Sequence, residues 1–147
     1  MKHLSTILLA VVIISFCISG ELTAQNKSYT ESGVWEISLI KTKLPYFNDY
    51  MTNLSNGWKK VMDEAKKEGF VLDYMVLSSS ASNPEDWDLM LMIKYKNMAA
   101  LDGMEDKIDK ITEKLFGSPD TQQQNAISRN ELREILGNRT TRQLVFK

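Results

Sequence analysis

Between Val34 and Ile40, apolar and polar residues alternate. Trp35, Ile37 and Leu39 fall on one face, and Val34, Glu36, Ser38 and Ile40 on the other, the period-two pattern of a strand. Beyond the Lys41–Pro45 connection the period changes. Phe47, Tyr50, Met51, Leu54, Trp58, Val61, Met62 and Ala65 recur every three or four residues. That stripe predicts one helix from about Tyr46 to Glu68, with Gly69 as a left-handed C-cap. Gly57 inside the run weakens it by about 1 kcal/mol relative to Ala. Alternation returns over Phe70–Leu77. After a small-residue loop at Ser78–Asp86 it appears again over Trp87–Tyr95, with Trp87, Leu89, Leu91, Ile93 and Tyr95 opposite Asp88, Met90, Met92 and Lys94. Asn97 is a good N-cap for a second helix, whose stripe is Leu101, Met104, Ile108, Ile111 and Leu115 and whose end is Gly117. Ser118-Pro119-Asp120 opens a further helical turn. Ser128 to Glu131 fits a capping box, predicting a short helix that carries Leu132, Ile135 and Leu136 and stops at Gly137. Thr140–Phe146 closes the chain as a fourth strand.

The order is β-α-β-β-α-(short α)-β. This is the α+β, ferredoxin-like plan: a four-stranded antiparallel sheet with two helices on one face, right-handed where parallel strands cross over. A sheet with helices on one side and water on the other should alternate cleanly. These strands do not. Met90 and Met92 sit opposite Leu89, Leu91 and Ile93, and Val71, Met75 and Leu77 sit opposite Leu72, Tyr74 and Val76. Both sheet faces therefore look partly buried, and a two-fold contact with a second copy, a homodimer through the sheet face, is the economical explanation.

The amino terminus sets the compartment. Lys2 and His3, the apolar run from Ile7 to about Ile18, and Leu22-Thr23-Ala24 before Gln25 have the layout of a secretory signal peptide over residues 1–24. The apolar run is short of the ~20 residues a membrane span needs, so no stable membrane insertion is expected after cleavage. Phe16 stands where a lipidated Cys17 would require a small residue. Residues 25–32 are polar and are expected to form a flexible lead into a single domain over 33–147. Localisation is expected to be secreted or periplasmic.

Removing that leader removes the only His and the only Cys, His3 and Cys17. The rest of the chain then lacks Cys or Ser–His nucleophile systems, imidazole-ligated haem, Cys/His zinc sites and disulfides. Chemistry would have to run on carboxylates, Tyr, Lys, Arg or amides, and no cofactor or metal is assigned. A net charge of −1 gives no electrostatic footprint for nucleic acid.

Val34-Trp35-Glu36, the Trp58-Lys59 helix, Trp87-Asp88-Leu89-Met90-Leu91 and Tyr95-Lys96-Asn97-Met98-Ala99-Ala100-Leu101-Asp102 resemble a group of small secreted bacterial proteins of uncharacterised function. These are similar to the dimeric α/β-barrel superfamily, which includes antibiotic-biosynthesis-type monooxygenases and stress-responsive barrel proteins. The resemblance covers nearly the whole chain beyond the leader. It implies a dimeric α/β barrel, and it implies no particular activity. The haem-degrading members use a His, which disfavours that branch.

Several residue groups carry candidate chemistry. Glu85, Asp86 and Asp88 could hold a hard cation, although turn and strand-edge solvation is the simpler reading. Trp35, Trp58 and Trp87, with Tyr46, Tyr50, Tyr74 and Tyr95, could line an aromatic pocket between sheet and helices, although Trp58 also lies squarely on a core stripe. Glu36 and Asp73 stand in mid-strand among apolar residues. A desolvated carboxylate there would have a raised pKa suited to proton abstraction, whereas pairing with Arg139, Arg142 or Lys94 would make it structural. Glu36, Asp73 and Tyr74 are therefore the catalytic candidates, and Trp35, Trp58, Tyr74, Trp87, Met90 and Met92 the ligand-binding ones. The scattered methionines fit core and dimer-face packing better than soft-metal binding. The expectation is a barrel that binds a small apolar or aromatic ligand. The alternatives are a cofactor-independent monooxygenase-like enzyme and a structural dimer without a ligand.

Overall fold

The computed structural model describes residues 27–147, without the side chains at 119–122, 124 and 125. The expected signal peptide, with His3, Cys17 and the cleavage point at Ala24, lies outside the described residues. The elements are β1 (Tyr29–Thr42), α1 (Phe47–Asn56), α2 (Trp58–Lys67), β2 (Asp73–Ser78), β3 (Leu89–Tyr95), a 3-10 turn (Met98–Leu101), α3 (Met104–Phe116), α4 (Pro119–Leu132) and β4 (Arg133–Phe146). The strands form one antiparallel sheet in the order β2-β3-β1-β4. That is the ferredoxin-like plan, and the chain is an α+β protein.

Register fixes which side chains share a face. Val34, Glu36, Ser38 and Ile40 pair with Tyr95, Ile93, Leu91 and Leu89 on β3, and Tyr74 and Val76 extend the same face across β2. The helices cover this side. One core cluster joins Val61, Met62 and Ala65 of α2 to Tyr95, Met104 and Ile111, and a second joins Tyr50 and Leu54 of α1 to Ile40, Leu89 and Leu91. Trp58 packs against both. On the other face Trp35, Ile37 and Leu39 pair with Lys94, Met92 and Met90, which in turn pair with Asp73, Met75 and Leu77. Lys66 of α2 reaches Asp73 at 2.8 Å, and these residues belong to neither core cluster among the described residues.

Several boundaries differ from the pattern reading. The helix predicted over 46–68 is two helices hinged at Gly57 (φ −111°, ψ −86°). β1 begins at Tyr29, inside the segment expected to be flexible, because Tyr29–Glu31 pair with Leu144–Phe146. β2 starts at Asp73, leaving Phe70 and Val71 to pack on α2 and α3, with Val71 fully buried. Asn97 does cap, accepting from the Ala100 amide at 3.0 Å, but it caps the 3-10 turn. Gly103 (φ 63°) then takes the left-handed conformation that turns the chain into α3. In α3 Leu115 is more than a third exposed, and Phe116 packs on the core in its place.

The largest correction concerns the end of the chain. The short helix predicted to carry Ile135 and Leu136 and to stop at Gly137 ends at Leu132 instead. Arg133–Phe146 is one long strand, with Ile135 opposite Ile40 and Gly137 opposite Leu39. Pairing along the whole length of β1 outweighs the helical preference of the Arg133–Leu136 stretch. Ser128 and Glu131 thus lie inside α4 and do not cap its start.

Candidate functional site

The covered sheet face and the helices do not close completely on one another. Between them lies a cavity of about 860 Å³. Leu91, Ile93 and Tyr95 form its floor, Leu54, Trp58, Val61 and Met62 one wall, and Leu101, Met104, Ile108 and Phe116 the other. Gly57, at the hinge between α1 and α2, is also on the lining. A smaller cavity of about 370 Å³ adjoins it, lined by Ser38, Asn138, Arg139 and Thr140, and shares Glu36, Trp58, Leu91 and Ile93 with the first.

Asn53, Asn56, Glu105, Asp109 and Thr112 also stand on the lining, and two further polar groups of residues face into it. The first is Glu36 with Tyr95, diagonal neighbours on one face through the Val34–Tyr95 and Glu36–Ile93 pairs. Burial pushes the Tyr95 phenol far above its ordinary value, and the Glu36 carboxylate beside it adds to the shift. Tyr95 therefore keeps its proton at any physiological pH. Glu36 makes no ion pair within 4 Å among the described residues. Of its three expected cationic partners, Arg142 pairs with Glu31, Lys94 lies over the Trp35 ring at 5.3 Å, and Arg139 is the register partner of Ile37, on the other face of the sheet.

The second polar group is Tyr50, Arg129 and Arg133. The Tyr50 ring is fully buried in α1, and its hydroxyl accepts a hydrogen bond from Arg133 Nη1 at 2.7 Å. The Arg133 guanidinium lies 5.4 Å from the centre of the same ring. Burial raises the Tyr50 pKa, against the opposing pull of Arg133. The helix-to-strand corner that carries Arg133 is tied down by Lys43, whose amide donates to the Leu132 carbonyl and whose Nζ donates to the Asn130 carbonyl, both at 2.9 Å.

The remaining predicted site residues lie elsewhere. Asp73 is on the uncovered side of β2, paired to Lys66 at 2.8 Å, a contact that holds its carboxyl below the ordinary range. Lowered and exposed, it has the wrong properties for a base, and it does not meet Glu36. Tyr74 is on the covered face but outside the cavity lining. Its hydroxyl donates to Asp63, and its ring meets Trp58 edge-on at 5.3 Å. Trp35, Met90 and Met92 are on the uncovered face. Trp87 precedes β3 in a turn where its amide donates to Asp86. Of the catalytic and ligand-binding candidates only Glu36 and Trp58 reach the cavity, joined by Tyr50 and Tyr95 from the wider aromatic set. The acidic turn is internally occupied: Asp88 accepts from the Thr42 amide and hydroxyl, Asp86 from Ser82 and Trp87, and Glu85 from Lys41.

Arg129 and Arg133 are site residues that the sequence pattern does not mark. A helix over Ser128–Leu136 makes them ordinary helix positions, whereas Arg133 opens β4, and this helix-to-strand corner brings both to the cavity.

No protein-family model matches the sequence, and no curated protein matches it. Two solved structures are similar in chain trace. One, from an uncultured marine organism, is described as a dimeric ferredoxin-like protein. It has a TM-score of 0.49 and 11% identity, covering 80% of this chain and 90% of its own. The other, from Bacteroides fragilis, is described as a dimeric protein of unknown function with a ferredoxin-like fold. It has a TM-score of 0.39 and 11% identity, covering 78% of this chain and 96% of its own.

Proposed function

We propose that this is an exported binding protein whose cavity between sheet and helices takes one small apolar or aromatic molecule, and that it works as a homodimer joined through the uncovered sheet face. The cavity carries the reading. Its volume of about 860 Å³ falls within the ~300–1,000 Å³ of small-molecule pockets, and an apolar lining with a few convergent polar groups is their usual composition. Export is supported by the leader pattern of residues 1–24.

The test is ligand binding to residues 25–147, read by calorimetry or tryptophan fluorescence against a panel of aromatic and aliphatic molecules. Trp58 on the cavity wall supplies the signal. Ile108→Trp, which enlarges a half-buried wall residue, should abolish binding while leaving the far-ultraviolet circular dichroism unchanged. Binding that survives the filled cavity would sink the proposal.

One observation favours a second, catalytic reading. Glu36 and Tyr95 meet inside the cavity, so a base and a hydrogen-bond donor would both face a bound molecule. Cofactor-independent oxygenation needs little more from the protein, because the substrate supplies the electrons. Oxygen uptake on adding a bound ligand, absent in Glu36→Gln, would select this reading over simple binding.

A further inference from the structure

Arg129 and Arg133 line one end of the main cavity, one on the last turn of α4 and the other on the first residue of β4. Arg133 donates through Nη1 to Tyr50, but its Nε is buried with no hydrogen-bond partner. Among the described residues no carboxylate lies within ion-pair distance of either guanidinium. Asp88, whose charge is felt at Tyr50, has both oxygens occupied by Thr42. Burial and the neighbouring charge of Arg133 together disfavour the cationic form of Arg129. Two partly buried arginines facing a cavity, with an orphaned donor and no counter-ion, form an incomplete arrangement, since a buried charge without a partner is costly. An acid group would complete it, because the guanidinium fork matches a carboxylate.

We infer that the cavity's ligand is an amphipathic organic anion, its acid group held by Arg129 and Arg133 and its apolar body lying along Leu54, Trp58 and Met62. This rests on the binding reading above and adds the chemical class. The Glu36 end of the cavity opposes that orientation's reverse. Thr42, the register partner of Arg133, stands six residues from Glu36 along β1, roughly 20 Å of strand, so an acid head at the arginine end is kept clear of Glu36. The other lining carboxylates, Glu105 and Asp109, stand on α3, and neither pairs with either arginine among the described residues.

The experiment is a calorimetric titration at pH 7 with phenylacetate, 2-naphthylacetate and 1-pyrenylacetate, each against its neutral primary amide. The protein is residues 25–147 as wild type, Arg129→Gln, Arg133→Gln and the double variant. The expected result is an acid that binds about tenfold or more tightly than its amide, equivalent to ~1.4 kcal/mol. The preference should shrink in each single variant and vanish in the double, while amide affinity is retained. Retained amide binding also shows that the variants fold. Equal affinity of acid and amide for the wild type would overturn the anionic assignment and leave the cavity reading standing. So would an acid preference that survives in the double variant. Failure of every acid and every amide to bind would sink both.

Discussion

A single glycine shows how closely two strands of this sheet approach. Gly33 sits at the irregularity in β1 between Glu31 and Val34, and a Cβ built on it would come within 2.7 Å of the Tyr95 carbonyl oxygen. That oxygen cannot yield easily, because Tyr95 is fixed by its register with Val34 and by burial in the core. Gly33→Ala should therefore destabilise the fold by about 1–3 kcal/mol, the range of an overpacked interior. Gly137 provides the control: it is also in a strand, but nothing lies within 4 Å of its added Cβ. Gly137→Ala should be neutral or stabilising by about 0.4–1 kcal/mol through the unfolded chain. Chemical denaturation of both variants checks the pair, and equal midpoints would refute the steric argument. At this scale the sequence was partly readable. Glu36 stood out as a carboxylate among alternating apolar residues, and the covered face holds it at the cavity. Asp73 carried the same signal but lies at an edge strand within reach of Lys66, and strand alternation alone cannot separate an edge from a centre.

α2 is stabilised differently from the strands it covers. Its inner face gives Val61, Met62 and Ala65 to the core, while its outer face carries a ladder of ion pairs: Lys59 with Asp63 at 2.6 Å, Glu64 with Lys67 at 3.2 Å and Lys114 at 2.7 Å, and Lys66 with Asp73 at 2.8 Å. Asp63 also accepts from the Tyr74 hydroxyl. Lysine hydrogen bonds lower the pKa values of Asp63, Glu64 and Asp73. Carboxylates whose native values are depressed contribute stability above their unfolded values, about 4, and lose it as pH falls through the lower native values. Lys59, Lys66 and Lys114 are raised by the same contacts, so their share is complete below their ordinary value and disappears only in strong alkali. The melting temperature should hold level from pH 5 to pH 9 and fall below pH 4, less steeply in 1 M salt because the Asp63 and Asp73 pairs are open to solvent. Asp63→Asn/Glu64→Gln/Asp73→Asn should flatten the acid limb, and an unchanged limb would assign it to other carboxylates. The stripe that builds α2 was plain in the sequence. Gly57 showed only as a weak point in the run, and the conversion of Arg133–Leu136 into strand did not show at all, since pairing with the distant β1 decides it.

Among the described residues one face of the sheet has no layer packed on it. Trp35, Ile37, Leu39, Met75, Leu77, Met90 and Met92 lie side by side across β1, β2 and β3, and Leu77 is 47% exposed. This two-sidedness was the clearest long-range message in the sequence, because apolar residues on both faces of a strand imply cover on both. The helices supply one cover, and nothing else among the described residues supplies the other. A second copy fits best: the strip lies across the central strands, and Asp73, Lys94 and Arg139 on the same face give a charged rim suited to a self-complementary two-fold contact. A stable interface of this kind removes roughly 800 Å² per partner from water. Sedimentation velocity at micromolar concentration should show a dimer. Ile37 and Met92 are cross-strand partners within the strip, so Ile37→Glu or Met92→Glu would bury a carboxylate in the contact and should give a folded monomer, the cost of an unpaired charge being several kcal/mol. The same variants separate the two halves of the proposed function, since the cavity is on the opposite side of the sheet. If the monomer binds ligand as tightly as the dimer, the two faces act independently. A monomeric wild type, or an Ile37→Glu protein that remains dimeric, would place the association elsewhere, and the long, mostly exposed strand β4 would be the next surface to test.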